Sequence, residues 1–424
     1  MDNDDPRNGT EENHREIKKP KLTHAITEHE IRHEFSHHET AVARINNGSF
    51  GSCPNSVLAA QNSWQLRFLR QPDDFFFNKL RKGILDSRLI IKDIINADDV
   101  EDISLIDNAT TAAAIVLQQF GRRFSSGEFR DNDSVIIFHC AYQAVKKSID
   151  AYVIPVGGSV VEVQLPFPVH SDQEIIAEFK KGLERGKVNG GRVREEEVDQ
   201  IFVDGAHAIG SLRVDVKEID ADFYVSNLYK WLFSPPSVAF MYCNKKLKDV
   251  HHPVVAHEYG KGLPAESAWV GMRDYSPQLV VPTILEFVNR FEGGIEGIMR
   301  RNHDMVVKMG IILKESWGTI LGSPPEMCAG MIMVGLPSKL CVTSDDDALR
   351  LRFYLRVYHA VEVPVYYQAL RDAERDPRDK DGFITGYVRI SHQVYNTVDD
   401  YHRLKTAIIQ ILEDGKICSK LPKE

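Results

Sequence analysis

Paired cysteines are missing from this sequence. Its six, Cys53, Cys140, Cys243, Cys328, Cys341 and Cys418, are scattered with no CxxC spacing. That excludes a disulfide framework and a cysteine zinc site. Long apolar runs are missing too, and none approaches the ~20 residues of a membrane span. Positive charge is in deficit: 52 Lys and Arg against 61 Asp and Glu leave a net charge of −9. A nucleic-acid surface is therefore not expected. No internal repeat occurs. The opening MDNDDPRNGTEENH has neither the apolar core of a secretory signal nor the basic amphipathic pattern of a transit peptide. A cytoplasmic, reducing compartment is the expectation. The run Lys18-Lys19-Pro20-Lys21 reads as a solvated basic patch, with nuclear import as its alternative.

What is present is a globular composition, 43% hydrophobic and 27% charged over 424 residues, enough for two or three domains. Residues 1–33 carry many charges and no apolar period, which predicts a disordered tail. HEIRH (29–33) and HEFSH (33–37) both match the H-E-x-x-H zinc pattern. They overlap in a polar stretch with no third ligand, so metal is not expected. From Ala41 onward the chain reads as folded, first a turn region and a charged helical stretch, then strands that alternate with helices. DISLIDNATTAAAIVLQQF and SVIIFHCAYQAVKKSIDAYV each read as strand, turn and helix. VVEVQLPFP reads as a strand and SDQEIIAEFKKGLERGK as a helix capped by Ser171. DQIFVDGAHAIG, DFYVSNLYK and SVAFMYC add three strands. The pattern predicts an α/β chain with a mostly parallel sheet over 34–280, preceded by an arm at 34–75. Helices dominate 281–424, with short strands at AGMIMVGL and GYVRISH, so a smaller α+β domain is expected there.

In such sheets ligands bind at the carboxyl ends of strands. Asp204 ends the apolar strand Ile201-Phe202-Val203, and His207 follows three residues later. Lys230 lies beyond the next strand among Val225, Leu228, Trp231, Leu232 and Phe233. A buried ammonium is costly, so a lone lysine there invites a chemical explanation. Thr110 and Thr111 stand at a helix start, where free N–H groups and the helix dipole favour phosphate. Tyr142 follows another strand. Singly, these are ordinary turn, capping and core residues. Together they are what pyridoxal 5'-phosphate (PLP) requires: an amine for its aldehyde, a carboxylate for its ring nitrogen, a stacking ring and a phosphate cradle.

NNGSFGSCP, NATTA, FVDGAHAIG, SNLYKWLFSPPSVAF and GYVRISHQVYNTVDDY resemble the motifs of class-V PLP enzymes of the aminotransferase fold, nearest the L-cysteine desulfhydrase and isopenicillin-N-epimerase-like group. The resemblance covers nearly all of residues 34–415. It implies fold type I and a homodimer acting on a small amino acid, L-cysteine foremost, by β-elimination. It implies Lys230 as the cofactor's lysine and the base for the Cα proton, and Asp204 as partner of the ring nitrogen. It places His207 near the phenolic oxygen, Thr110, Thr111 and Ser226 on phosphate, and Tyr142 on the ring face. Arg389 and Asn47 would meet the substrate, Arg389 through its bidentate fork. An epimerase, an aminotransferase or a cysteine desulfurase would share this core. A desulfurase would need a mobile cysteine, and Cys328 and Cys341 are read as structural.

Three departures from the family pattern stand out. Tyr229 precedes the lysine where the family has histidine. Met272, in WVGMRDYS, stands where a threonine reaches the partner subunit's phosphate, and methionine cannot donate such a bond. Between Arg194 and Glu195 about one βα unit, roughly thirty residues, is absent. A chain so shortened could also be a non-catalytic member, and its sheet topology must change.

Overall fold

A computed structural model describes residues 25–130, 133–188, 198–247, 249–371 and 375–423. The basic run at 18–21 and the junction at 194–195 lie outside the described residues. Among the described residues eleven strands occur in order: β1 Ala43–Arg44, β2 Ile103–Ile106, β3 Ser134–Phe138, β4 Ser159–Val163, β5 Phe202–Asp204, β6 Phe223–Asn227, β7 Ala239–Cys243, β8 Met331–Gly335, β9 Val361–Glu362, β10 Val365–Tyr367 and β11 Gly386–Ser391. Each strand expected from the sequence is present. Order begins earlier than expected, because residues Glu28–Glu34 form a helix rather than part of a disordered tail. Its cause is local. The Thr27 hydroxyl accepts from Glu30 N, and the Glu30 carboxylate accepts from Thr27 N at 2.8 Å, a reciprocal capping box.

The N-terminal sheet is divided. One piece has the order β2-β7-β6-β5, and β3 pairs only with β4. β5 and β6 are parallel, as are β3 and β4, while β7 runs antiparallel to both β2 and β6. Both pieces feed one core. The Ala109–Ser125 helix buries Ala112, Ile115, Val116 and Phe120 in it, together with Phe223 and Val225 of β6. Val135 and Ile137 of β3 pack on the same cluster, as does Phe202 of β5. The pieces therefore share apolar packing without sharing a hydrogen-bond ladder. Among the described residues nothing pairs with the outer edge of β5 or of β3. Unpaired edges are what removal of a strand from inside a sheet leaves behind.

The C-terminal sheet has the antiparallel order β10-β11-β8. It packs with the helices Gly294–Trp317, Asp345–His359 and Val398–Glu413 around Val306, Leu351, Val388 and Leu404. The N-terminal arm joins this body. β1 pairs in parallel with β9, and Ala43 and Ile45 are fully buried in the C-terminal core. The arm thereby delivers the NNGSFG turn to the place where the two sheets meet Lys230. Among the described residues no helix is long and apolar enough to cross a membrane.

Candidate active site

β6 is buried along its whole length, and a single helical turn, Leu228–Trp231, follows it. That turn brings the Lys230 amine to 3.0 Å from His207 Nε2. Burial, then the Arg389 guanidinium nearby, pushes the ammonium of Lys230 down to about 8, with Asp204 opposing. The same two forces hold His207 near 3, with the Lys230 charge ahead of Arg389, so its ring is neutral. A neutral imidazole beside an ammonium accepts through Nε2, which leaves its proton on Nδ1. That Nδ1 is buried and has no partner. Arg389 repeats the pattern. Its guanidinium donates from Nη2 to Ser49 Oγ at 3.0 Å, while its Nε is buried without a partner. Two orphaned buried donors beside a reactive amine mark a place for acceptor oxygens.

Asp204 ends β5 and accepts from Ala206 N at 3.1 Å. Its carboxyl is raised by the protein packed around it, although its side chain remains open to solvent at the unpaired edge of β5. Thr110 and Thr111 occupy the first turn of the Ala109–Ser125 helix. Thr110 is exposed and makes no side-chain hydrogen bond, whereas Thr111 N and Oγ1 both donate to the cap residue Asn108. Tyr142 is 66% exposed at the start of the Gln143–Tyr152 helix. It lies close enough to Tyr229 to add to the rise in that phenol's pKa, which burial mainly causes. Lys230, His207, Asp204 and Arg389 thus converge, with Tyr142 close to Tyr229, the residue before Lys230.

Two expected ligands are otherwise engaged. Ser226 is fully buried, donates to Gly205 O at 2.5 Å and accepts from Ile209 N at 3.0 Å. Its hydroxyl pins the turn that carries His207 and is not available to phosphate. The next residue, Asn227, faces the helix start instead, accepting from Ala109 N at 2.9 Å. Adjacent strand residues point to opposite faces, so Ser226 and Asn227 meet different partners. Asn47 uses its amide on the protein: Nδ2 donates to Lys230 O at 2.9 Å, and Oδ1 accepts from Tyr395 OH at 2.6 Å. Ser49 and Tyr395 were inside recognised motifs but carried no sequence signal of their own. Met272 is 72% exposed, and Arg273 beside it pairs with Asp107. Cys328 is half-buried with its thiol raised by burial and bonded to Ser323, so it is no ready nucleophile.

Residues 192–258 match the Aminotransferase class-V family. An Arabidopsis thaliana protein named L-cysteine desulfhydrase is 61% identical, over 97% of this chain and 96% of its own length. The chain belongs to the class-V aminotransferase family, within its L-cysteine desulfhydrase group. A second Arabidopsis thaliana member, named a probable chloroplastic L-cysteine desulfhydrase, is 56% identical over 96% of this chain and 90% of its own. In the family's fold, the solved structure of a C-DES mutant with glycine covalently linked to its PLP cofactor covers 89% of this chain and 98% of its own. It does so at a TM-score of 0.66 and 15% identity. That likeness makes the fold type I, as expected from the motifs. The first alignment runs over 438 residues, whereas 97% of this 424-residue chain is about 411. Roughly 27 aligned positions therefore have no counterpart here, about one βα unit.

The electrostatics carry a pH prediction. Arg389 disfavours the Lys230 ammonium, so Arg389→Met raises the pKa of Lys230. The rate at which Lys230 is modified by a small aldehyde, followed by peptide mass spectrometry across pH 6–10, then rises at higher pH than in the wild type. An unmoved profile would assign the depression to burial alone.

Proposed function

We propose that this chain is a PLP-dependent carbon–sulfur lyase converting L-cysteine and water to pyruvate, ammonia and hydrogen sulfide. The observation that carries this reading is the Lys230 amine, lowered to about 8, set 3.0 Å from a neutral His207 with Arg389 nearby. An amine that is partly free near neutral pH can attack an aldehyde, and it can take a proton from carbon. When bound, the cofactor supplies an electron sink that acidifies Cα of the amino acid. Lys230 anchors it and removes the Cα proton. Asp204 stands for the ring nitrogen, and the orphaned Nδ1–H of His207 for the phenolic oxygen. Thr110, Thr111 and the helix start capped by Asn108 and Asn227 suit the phosphate, with Tyr142 over the ring. Arg389 takes the substrate carboxylate, since its Nε is buried without a partner and its charge is felt at the Lys230 amine.

The exposed apolar side chains Leu66, Leu69 and Phe77, at 41%, 70% and 78% exposure, support association with a second copy. Two lobes, 34–280 and 281–424, would close over the site. A second reading is favoured by the divided sheet: a family member that holds cofactor loosely because the β5 edge beside Asp204 is uncovered. One experiment separates them. The purified chain loaded with PLP is expected to show the visible absorbance of the lysine adduct and to release sulfide and pyruvate in equal amounts from L-cysteine. Absorbance without sulfide, or alanine in place of pyruvate, would overturn the lyase reading; absence of both would support the loose-binding one.

A further inference from the structure

The NNGSFG turn touches both chemical ends of the site. Asn47 Nδ2 donates to the Lys230 carbonyl, and Ser49 Oγ accepts from Arg389 Nη2. The amide of Asn47 has only one workable orientation, because Tyr395 OH donates to its Oδ1 and so leaves Nδ2 for Lys230. Ser49 is held in turn, donating to Asn46 Oδ1 at 2.7 Å. The turn also presses on the lysine's own peptide. Gly51 sits at φ +66°, and a Cβ there would stand 1.7 Å from the Tyr229 carbonyl oxygen. A Cβ on Gly48 would meet Met331 Sδ at 2.3 Å, with Arg389 Nη2 next at 3.6 Å. Six residues of the arm thus wedge between the helical turn Leu228–Trp231 that follows β6 and β11 of the other sheet.

We infer that this turn is a positioning device that sets the separation of the Lys230 amine from the Arg389 guanidinium, with Ser49 governing the substrate-carboxylate end and the Tyr395–Asn47 pair governing the lysine end. The inference rests on the functional reading above. A substrate amino acid spans the two groups, with its carboxylate at Arg389 and its Cα at Lys230. Displacement of either end would affect a different kinetic constant. Ser49 acts on carboxylate binding, which is made before and during the reaction. Tyr395, partly buried and joined to Lys230 only through Asn47, acts on where the proton is taken.

The test uses the PLP-loaded full chain. Ser49→Ala is expected to raise KM for L-cysteine roughly tenfold, the size of one hydrogen bond to a charged group, with kcat nearly unchanged. It should weaken spectroscopically observed binding of propionate, a carboxylate that cannot react, to the same extent, and Ser49→Thr should restore both. Tyr395→Phe, which keeps the ring and removes only the hydroxyl, is expected to lower kcat roughly fivefold with KM held. If wild type shows lysine-adduct absorbance and sulfide release while all three variants match it, this inference alone fails. The same holds if Ser49→Ala lowers kcat with KM and propionate binding unmoved. If wild type shows neither signal, the functional reading fails with it.

Discussion

Lys230→Ala removes the visible absorbance of the PLP-loaded protein and lowers sulfide release from L-cysteine by roughly a thousandfold or more, the scale of a lost general base. Lys146, which follows Tyr142 in the chain, is committed elsewhere: its Nζ donates to Glu162 and to the His139 carbonyl, both at 2.7 Å. The fold survives the change. The ammonium is disfavoured in the folded state, since burial lowers its pKa from 10.5 to about 8. Below pH 8 the native chain therefore carries a charge it would more easily hold unfolded, and this destabilisation fades between pH 8 and 10.5. In the cofactor-free chain Lys230→Ala is expected to raise Tm at pH 7 and to leave it unchanged above about pH 10.5. Activity lost with Tm raised is the signature of a lysine placed for chemistry. Retained absorbance in the mutant would remove Lys230 from its role, and a fall in Tm at pH 7 would make its burial structural.

The residues legible from sequence were those whose meaning is set by position along one strand. Asp204 is the last residue of β5, His207 and Lys230 follow strand ends, and the apolar flanks that made Lys230 conspicuous are the ones that bury it. Roles that depend on which way a side chain points were not legible. Ser226 and Asn227 differ by one residue, hence by one face of β6, and only the pairing of β6 with β5 and β7 decides which meets the helix start. Asn47 depends on Tyr395, 348 residues away, and no local pattern reports such a partner. The helix at Glu28–Glu34 is a different case. Its capping box was present in the sequence as Thr27 and Glu30, but the charge density of the tail outweighed it. The antiparallel course of β7 was also hidden, because a short apolar strand reads alike in both directions.

Insertion of a family-type βα unit between Arg194 and Glu195 is expected to raise both stability and sulfide release. The sequence predicts a missing strand and helix there, and the described sheet divides as such a loss requires. Among the described residues β5 keeps only three residues, and its one partner, β6, lies on one side. β3 is half-buried along its length and likewise has an unpaired edge. A strand seated between them would satisfy both edges and join the two pieces into one ladder over the core they already share. It would also cover the side of Asp204 that now faces solvent, strengthening that carboxylate's hold on a ring nitrogen in a drier setting. Catalysis tolerates little displacement of reacting groups, so rigid placement of Asp204 relative to Lys230 should raise turnover by roughly tenfold or more. The control is an insertion of equal length made of glycine and serine, which lengthens the junction without supplying a strand. The expected order for both Tm and sulfide release is family-type insertion first, then native chain, then the glycine-serine control. If the family-type insertion and the native chain melt together and release sulfide equally, the two edges are already satisfied in the assembled protein. The divided sheet would then be a complete form of the fold.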